Sequence, residues 1–238
     1  MIKSINLQKI YSGKCVLNIQ ELDIPAGQCL GLVGNNGAGK TTFFSLILDL
    51  IQATHGSITN NGIEVSKNEE WKKFTNAFLD ESFLIPYLTP EEYFYFVGSL
   101  RGMTKEVVND FLLDYKDIFN DEILGQKKYI RDLSKGNQKK VGVIGALMGN
   151  PKVIILDEPF ANLDPTTQFR LRKILKTLAE AKDKVILISS HDLMHTTDVC
   201  DRIVVLSKGT IVKDIQTNPE TLKDLEGYFS DHIESEID

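Results

Sequence analysis

The sequence predicts an α/β fold: a mostly parallel β-sheet with helices on both faces, an N-terminal antiparallel β subdomain and an inserted α-helical subdomain. Continuous β-branched runs, such as "KVIILD" (152–157) and "KVILISS" (184–190), alternate with helical patterns, as they do when parallel strands are buried on both faces. Between residues 86 and 135 the strand patterns stop and helical ones replace them. The 238 residues are enough for one large domain with a smaller subdomain.

The first part of the chain is predicted to be rich in strands. Residues 1–33 are expected to form short strands, because "QELDI" (20–24) alternates polar and apolar residues as a half-buried strand does. A glycine-rich loop and a helix ending near Ile51 follow, and "GSITNNGIEV" (56–65) indicates a β-hairpin. Next we expect a short helix near Trp71 and a strand around 77–79.

The helical insert is predicted from Pro86 onward. Thr89 is expected to cap a helix that has Pro90 at its first position. A second helix is expected over "TKEVVNDFLLDYKDIF" (104–119), with the apolar residues on one face. These apolar residues are Val107, Val108, Phe111, Leu112 and Tyr115.

The same patterns continue to the end of the chain. Helices are expected over 136–149 and over "TTQFRLRKILKTLAEA" (166–181), and "DRIVVLSKGTIVKDIQ" (201–216) indicates a hairpin that turns at Lys208 and Gly209. One more helix is expected after Pro219. The predicted organisation is a single domain, with a core (1–85 and 136–215), a helical insert (86–135) and an acidic C-terminal tail (216–238).

Composition narrows the classes of function. A hydrophobic content of 42% and a charged content of 25% are typical of an ordinary soluble globular protein. The net charge of −6 argues against a nucleic-acid partner, which would require a basic surface. The three cysteines lack C-x-x-C spacing and are expected to be reduced thiols, and the four histidines show no metal-ligand spacing.

The sequence shows no targeting or membrane-spanning segment. The N-terminal stretch "MIKSINLQKIYSGK" lacks the apolar region of a secretory signal. No apolar run approaches the ~18 residues that a membrane span needs. We therefore expect a cytoplasmic protein that reaches a membrane only through a partner.

The stretch "GNNGAGKTT" (34–42) predicts a phosphate-binding loop. It fits G-x-x-x-x-G-K-[ST] between a strand and a helix, so that backbone N–H groups can converge on phosphate oxygens at the positive end of the helix. Lys40 would reach the β- and γ-phosphates, and the Thr41 hydroxyl would bind Mg²⁺. A bare turn would explain one or two glycines, but not a lysine at a helix start, where a cation opposes the macrodipole.

Two carboxylates follow a predicted buried strand. In "VIILDEP" (153–159), Asp157 could hold Mg²⁺, and Glu158 could orient and deprotonate a water that attacks the γ-phosphate. Ligands bind at the carboxyl ends of parallel strands in such sheets. The alternative is a strand end that carries ordinary acidic residues.

Two further motifs bear on the same edge of the sheet. In "DLSKGNQKK" (132–140), Ser134 and Gly136 could cap the following helix or bind an anion there, and capping is favoured by the motif alone. His191 follows a predicted buried strand. A lone histidine is usually structural, but this one falls at the same sheet edge as Lys40, where it could contact a γ-phosphate.

The order of these motifs resembles the ATP-binding cassette (ABC) ATPase family over about residues 1–215. "GNNGAGKTT" is similar to the Walker A motif, "LSKGN" (133–137) to the signature, "VIILDE" (153–158) to Walker B, "ANLD" (161–164) to the D-loop, and His191 to the switch histidine. The resemblance implies a P-loop NTPase core that binds ATP and Mg²⁺ and hydrolyses ATP.

The resemblance also implies roles for individual residues. Tyr11 would stack on adenine, although without the resemblance a partly exposed strand aromatic would be preferred. Glu158, His191 and Lys40 would be catalytic, and Thr41, Asp157 and Glu81 would face Mg²⁺. The residues expected to contact the nucleotide are Tyr11, Gly34, Asn35, Asn36, Gly37, Ala38, Gly39, Lys40, Thr41, Thr42 and, from the signature, Ser134, Gly136 and Asn137.

The chain departs from the family pattern at two places. The usual signature is LSGGQ, and here Lys135 replaces a glycine while Asn137 replaces the glutamine. We expect Lys135 to point into solvent, because long cationic side chains usually do. Glu81 stands where the family usually has a glutamine, and its carboxylate adds negative charge near the triphosphate.

The resemblance further implies the partners. The signature of one subunit closes over the nucleotide of another, so a single cassette needs a second ABC ATPase subunit, identical or different. A transporter would also need separate integral membrane permease chains, which would hold this subunit at the cytoplasmic face of the membrane. Part of an aromatic cluster could form the docking groove: Tyr87, Tyr93, Phe94, Tyr95 and Phe96.

The motif style favours an exporter cassette over a binding-protein-dependent importer. Two alternatives remain open: a non-transport cassette protein that works on ribosomes or DNA, and a cassette that binds ATP as a regulatory module without hydrolysing it. Proteins of the first kind usually carry two cassettes or long coiled-coil arms. The second is disfavoured by four intact residues: Lys40, Asp157, Glu158 and His191.

Overall fold

Strands and helices follow one another along the chain as predicted. The computed structural model describes residues 1–234. Its strands are β1 (Ile2–Tyr11), β2 (Lys14–Ile24), β3 (Cys29–Val33), β4 (His55–Asn60), β5 (Ile63–Glu64), β6 (Thr75–Phe78), β7 (Val153–Asp157), β8 (Val185–Ser190), β9 (Arg202–Ser207) and β10 (Thr210–Gln216). Its α-helices are α1 (Lys40–Ile47), α2 (Pro90–Leu100), α3 (Lys105–Asp114), α4 (Lys116–Phe119), α5 (Lys135–Leu147), α6 (Pro165–Glu180), α7 (Leu193–Val199) and α8 (Thr221–Glu234).

Within residues 1–234 the strands form two sheets. The antiparallel sheet has the order β2-β1-β4-β5, and the other has the order β10-β9-β3-β8-β7-β6. In the second sheet every neighbouring pair is parallel except the β9–β10 hairpin. The predicted α/β fold, with its mostly parallel sheet and N-terminal antiparallel sheet, is confirmed.

The parallel strands separate two hydrophobic cores, which explains their continuous apolar runs. In β3, Leu30 and Leu32 face the core shared with the antiparallel sheet and α1, whereas Cys29 and Val33 face the opposite core. The same alternation occurs along β7, β8 and β9. Because successive side chains of a strand point to opposite faces, a strand covered on both sides needs an apolar residue at nearly every position.

The segment between β6 and α5 is helical, as its sequence predicts. Thr89 and Glu92 form a capping box at the start of α2, which has Pro90 in its first turn. On α3, Val108 and Leu112 are buried, whereas Val107 is 49% exposed. Val107 thus lies at the exposed edge of the predicted apolar face, whereas Phe111 and Tyr115 on the same face pack against the core. The boundary between core and insert stays a prediction.

Several element boundaries differ from the sequence prediction. Helix α1 ends at Ile47 and not near Ile51, because Asp49 has a positive φ of 51° that a helix cannot continue. The first two strands are long, with 10 and 11 residues, since they pair over nearly their whole length. The C-terminal prediction is only partly described, because residues 235–238 of the acidic tail lie outside the described residues.

Two of the cysteines lie together in the core. Cys29 and Cys200 are buried, and their sulfur atoms are 3.5 Å apart as free thiols, so they are not isolated from each other. Burial raises the pKa of the Cys200 thiol. Cys15 is exposed.

None of the helices over residues 1–234 is both long enough and apolar enough to cross a bilayer.

Candidate active site

The candidate site lies at the carboxyl ends of three neighbouring parallel strands. The order β3-β8-β7 brings together the residues that follow each strand: the loop that begins at Gly34, the serine–histidine pair at 190–191, and the carboxylates of Asp157 and Glu158. The carboxyl edge of a parallel sheet is where such folds bind ligands. The sequence prediction that these motifs converge is met by the geometry.

The loop before α1 has the backbone that a phosphate cradle needs. Gly39 forms the N-cap of α1 with a φ of 107°, which disfavours any residue with a Cβ atom. A Cβ at Gly34 would lie 2.2 Å from the carbonyl oxygen of Leu206, so this position also requires glycine. Gly39 has no side chain that could cap α1, so no N-cap side chain occupies the first N–H groups of the helix. These N–H groups can therefore bind an anion.

Lys40 is held inside this loop. Its side chain is only 7% exposed, and its Nζ donates to the carbonyl oxygens of Gly34 at 2.6 Å and Asn35 at 3.4 Å. The ammonium also lies 3.5 Å from a carboxylate oxygen of Glu158. A buried cation needs such partners, and here they fix its Nζ beside the predicted general base.

Asp157 and Thr41 form a compact oxygen cluster at the end of β7. The Thr41 hydroxyl donates to Oδ2 of Asp157 at 2.5 Å, and the Ser189 hydroxyl donates to Oδ1. Burial raises the pKa of Asp157, while these two hydrogen bonds act in the opposite direction. A carboxylate next to a hydroxyl fits Mg²⁺, which commonly uses one or two carboxylates and takes its other ligands from water and phosphate.

Glu158 is held at its backbone and at its side chain. Its φ is 47°, in the left-handed region that disfavours residues other than glycine. Its amide donates to the Ser189 hydroxyl at 3.0 Å. Its carboxylate lies 3.5 Å from Nζ of Lys40 and 2.8 Å from Nδ1 of His191. Such a constrained carboxylate is suited to orient a water molecule as a general base.

Most of the phosphate loop, together with Asp157 and Glu158, opens into one pocket of about 300 Å³. Three predicted site residues, Gly34, Asn35 and His191, do not line it. Tyr11 lies at the pocket with 46% of its surface exposed, and Lys9 places its ammonium 4.7 Å from the centre of the tyrosine ring. The residues that line the pocket are Tyr11, Val16, Asn36, Gly37, Ala38, Gly39, Lys40, Thr41, Thr42, Asp157 and Glu158.

Comparison with known proteins identifies the family. The sequence pattern of the ABC transporter family matches residues 17–161. The chain belongs to the ABC transporter family. It is the ATP-binding cassette of that family, so the resemblance inferred from the motifs is confirmed.

Two relatives illustrate the range of the ABC family that this chain resembles. It is 36% identical over 189 residues to the uncharacterized ABC transporter ATP-binding protein YhaQ of Bacillus subtilis, and the match covers 79% of this chain and 62% of YhaQ. It is 29% identical over 235 residues to the lantibiotic transport ATP-binding protein SrtF of Streptococcus pyogenes, which covers 98% and 97% of the two chains. The chain thus spans less than two thirds of YhaQ but nearly all of SrtF.

A solved ABC cassette confirms the fold. The dimeric structure of the ATP-binding cassette MJ0796 bound to ADP and phosphate matches with a TM-score of 0.79 and 24% identity, over 92% of this chain and 99% of that chain. Because the identity is below 25%, this match shows that the two chains share a fold and no more.

The ABC signature residues lie away from the pocket of their own chain. Ser134 caps α5 by accepting a hydrogen bond from the Asn137 amide at 3.2 Å, as the sequence alone favours. A Cβ at Gly136 would lie 2.8 Å from the carbonyl oxygen of Asn162, so glycine lets α5 approach the D-loop. Among the described residues, none of the signature lines the pocket. The nucleotide contacts expected of Ser134, Gly136 and Asn137 stay predictions that require a second chain.

Glu81 is also not among the residues that line the pocket. Its carboxylate lies 3.6 Å from Nζ of Lys139, with both side chains largely buried. This ion pair gives Glu81 a partner other than a metal ion. The role of Glu81 at Mg²⁺ stays a prediction.

Sequence reasoning missed two residues of the site. Ser189 donates to Asp157 and accepts from the amide of Glu158, so it aligns both carboxylate residues. The signal in the sequence was a polar pair, Ser189 and Ser190, at the end of an otherwise apolar strand. Lys139 donates to the carbonyl oxygen of Glu158 at 2.9 Å, and no sequence pattern pointed to this contact.

Tyr11→Ala is expected to weaken ATP binding and to leave the chemical step nearly unchanged. Stacking of an aromatic ring on a base contributes roughly 1–3 kcal/mol, so the Kd for ATP should rise about tenfold or more. The Tyr11→Phe variant keeps the ring and is the matched control. Calorimetric titration with ATP checks this, and wild-type affinity of Tyr11→Ala would assign adenine to another surface.

Proposed function

We propose that this cassette hydrolyses ATP and uses the cycle of binding and hydrolysis to move a solute through separate membrane permease chains. The observation that supports this best is the convergence of Lys40 and His191 on the carboxylate of Glu158, beside the Thr41–Asp157 pair. A module that only bound ATP would need the loop but not a fixed general base. The match to transport proteins such as SrtF supports the transport part of the proposal.

In the proposed reaction, Glu158 accepts a proton from the attacking water. Nδ1 of His191 lies 2.8 Å from one carboxylate oxygen of Glu158 and would fix the orientation of this carboxylate. Lys40 would exchange its contacts with the loop carbonyls for phosphate oxygens and offset the charge that develops on the γ-phosphate. The backbone of Glu158, held by Ser189, fixes the distance between base and phosphate.

The Thr41 hydroxyl and the Asp157 carboxylate would hold Mg²⁺ with the nucleotide. A bound Mg²⁺ would neutralise part of the negative charge of the triphosphate. The chain's own contribution is to hold these two oxygens 2.5 Å apart and to bury Asp157 to 4% exposure.

The complete site would contain two chains arranged head to tail. Ser134 is exposed and caps the N-terminus of α5, outside the pocket that the Walker A loop lines. The signature of a second cassette would close over the nucleotide, as the dimeric assembly of MJ0796 suggests. The second cassette can be a copy of this chain or a different one.

The permease would dock on the groove between the parallel sheet and α2. This groove of about 440 Å³ is lined in part by Tyr93, Leu100 and Arg101. Of the predicted aromatic cluster, Phe94 is fully buried, while Tyr87 and Phe96 are 67% and 45% exposed. Docking here would hold the cassette at the cytoplasmic face of a membrane. The preference for an exporter stays a prediction.

Purified protein tests the enzymatic part of this proposal. Phosphate release from ATP should require Mg²⁺ and should stop when EDTA is added. Absence of phosphate release at saturating ATP would favour the regulatory module. Affinity purification from membranes should recover an integral membrane protein, whereas recovery of ribosomes or DNA instead would favour the non-transport alternative.

Lys135→Gly restores the missing glycine of the family's signature and tests its first departure. Lys135 is exposed at the first position of α5. If it faces solvent in the dimer as well, turnover should change by less than about twofold, as for most surface substitutions. Turnover measured at low and high salt checks this. A fall in both activity and salt dependence would show that Lys135 reaches the partner's γ-phosphate.

A further inference from the structure

Lys139 is a buried cation that the proposed reaction does not use. Its side chain is 6% exposed, although it lies on the first turns of α5, next to the signature. Its Nζ donates to the carbonyl oxygen of Glu158 at 2.9 Å and lies 3.6 Å from Oε1 of Glu81. A buried ammonium is kept only where its partners compensate the loss of water, so this arrangement is specific.

The bond to Glu158 falls at a strained point of the backbone. Glu158 has a φ of 47°, and a non-glycine residue keeps such a conformation only where its surroundings hold it. Ser189 holds the amide on one side of the residue, and Lys139 holds the carbonyl on the other. The Ala161 amide also donates to this carbonyl, at 3.2 Å. The direction of the Glu158 carboxylate depends on this backbone orientation.

Glu81 supplies the charge that allows Lys139 to stay buried. Oε1 of Glu81 is buried and accepts no hydrogen bond from the described residues, so its main compensation is the ammonium 3.6 Å away. Glu81 follows β6, at the point where the chain leaves the parallel sheet for α2. Lys139 lies on α5, the helix that begins at the signature. Its ammonium thus contacts both the turn after β7 and the segment after β6.

We propose that Lys139 is a positioning residue: through the carbonyl of Glu158 it sets the direction of the general base, and Glu81 serves as its counter-charge. This inference rests on the proposed hydrolysis of ATP. In this proposal α5, the helix that begins at the signature, orients the general base of its own chain through Lys139. Because Lys139 does not line the nucleotide pocket, its effect belongs to turnover and not to ATP affinity.

Lys139→Met tests the proposal, since methionine fills a similar volume without an ammonium. We expect kcat to fall about 10–100-fold, as small misplacements of a catalytic group do, while the Kd for ATP changes by less than about twofold. Lys139→Arg keeps a donor and should recover most of kcat. Lys184→Met is the matched control: Lys184 is also buried, but it pairs with Asp183, so this variant should keep its kcat.

A double variant separates positioning from a general effect on the fold. If Lys139 acts through the base, adding Lys139→Met to Glu158→Gln should lower the residual single-turnover rate by less than about twofold, because residues that act as a unit are not additive. If Lys139→Met lowers the rate of Glu158→Gln by the same factor as it lowers the rate of the wild-type protein, the proposal is overturned. An unchanged kcat in Lys139→Met, or an equal loss in Lys184→Met, would overturn it too. Absence of turnover in the wild-type protein would overturn the proposed hydrolysis as well, whereas these other outcomes overturn only the role of Lys139.

Discussion

Glu158→Gln is expected to abolish most ATP hydrolysis and to leave ATP binding in place. The change keeps the size and shape of the side chain but removes the basic carboxylate that faces Lys40 and His191. Loss of a general base typically costs a factor of about 10²–10⁴ in turnover. Lys40 loses one charged partner in this variant but still donates to the carbonyl oxygens of Gly34 and Asn35, so the Walker A loop should stay in place.

The same variant should also stabilise a dimer when ATP is present. One negative charge next to the γ-phosphate disappears, which lowers repulsion in the closed state. Because the signature of the chain lies outside its own pocket, bound ATP would be the contact that holds two chains together. An ATP that is not hydrolysed would keep that contact.

Both outcomes can be measured on one sample. Phosphate release reports hydrolysis, and light scattering after size-exclusion chromatography reports the mass with and without ATP. Glu180→Gln, at the exposed end of α6, is the control for a carboxylate-to-amide change. Persistent hydrolysis would place the base elsewhere. Lost hydrolysis in a protein that stays monomeric at saturating ATP would indicate that the natural partner is a different cassette.

The parts of the site that sequence predicted are local. The loop around Lys40 carries its own backbone requirement in Gly34 and Gly39, so residue type and spacing suffice to identify it. Asp157 and His191 were found because each follows a continuous apolar run, and such runs are parallel strands whose carboxyl ends meet. The fold class followed from the same runs.

The parts that sequence missed depend on contacts between distant segments. Lys139 looks like any polar residue on a helix, and only the packing of α5 against β6 and β7 brings it to the carbonyl of Glu158. Its 3.6 Å contact with Glu81 spans 58 residues, and no periodicity encodes it. The exposure of Val107 has a related reason, since an apolar residue at the edge of a helical stripe is buried only if another element covers it.

Lys40→Ala is expected to remove nearly all ATP-dependent activity without weakening the fold. The ammonium lies at the start of α1, where a cation opposes the helix macrodipole and alanine is the better helix former. Helix α1 is anchored by the buried Phe43 and Phe44, although Lys40 also donates to the carbonyl oxygens of Gly34 and Asn35. The gain in helix propensity offsets the loss of these contacts, so the melting temperature of the variant should stay close to that of the wild-type protein.

The loss of function should be large because the charge acts from a buried position, with the Lys40 side chain only 7% exposed. Removing one preorganised group that stabilises developing charge costs about 10²–10³ in rate, and Lys40 would contact the triphosphate in both the ground state and the transition state. We therefore expect kcat/KM to fall at least this far and the Kd for ATP to rise, while Lys152→Ala, which removes an exposed lysine, leaves both unchanged. Turnover at the wild-type level would contradict the phosphate-loop interpretation. A lowered melting temperature together with lost turnover would show that Lys40 holds the loop through Gly34 and Asn35, and its structural role would then exceed its electrostatic one.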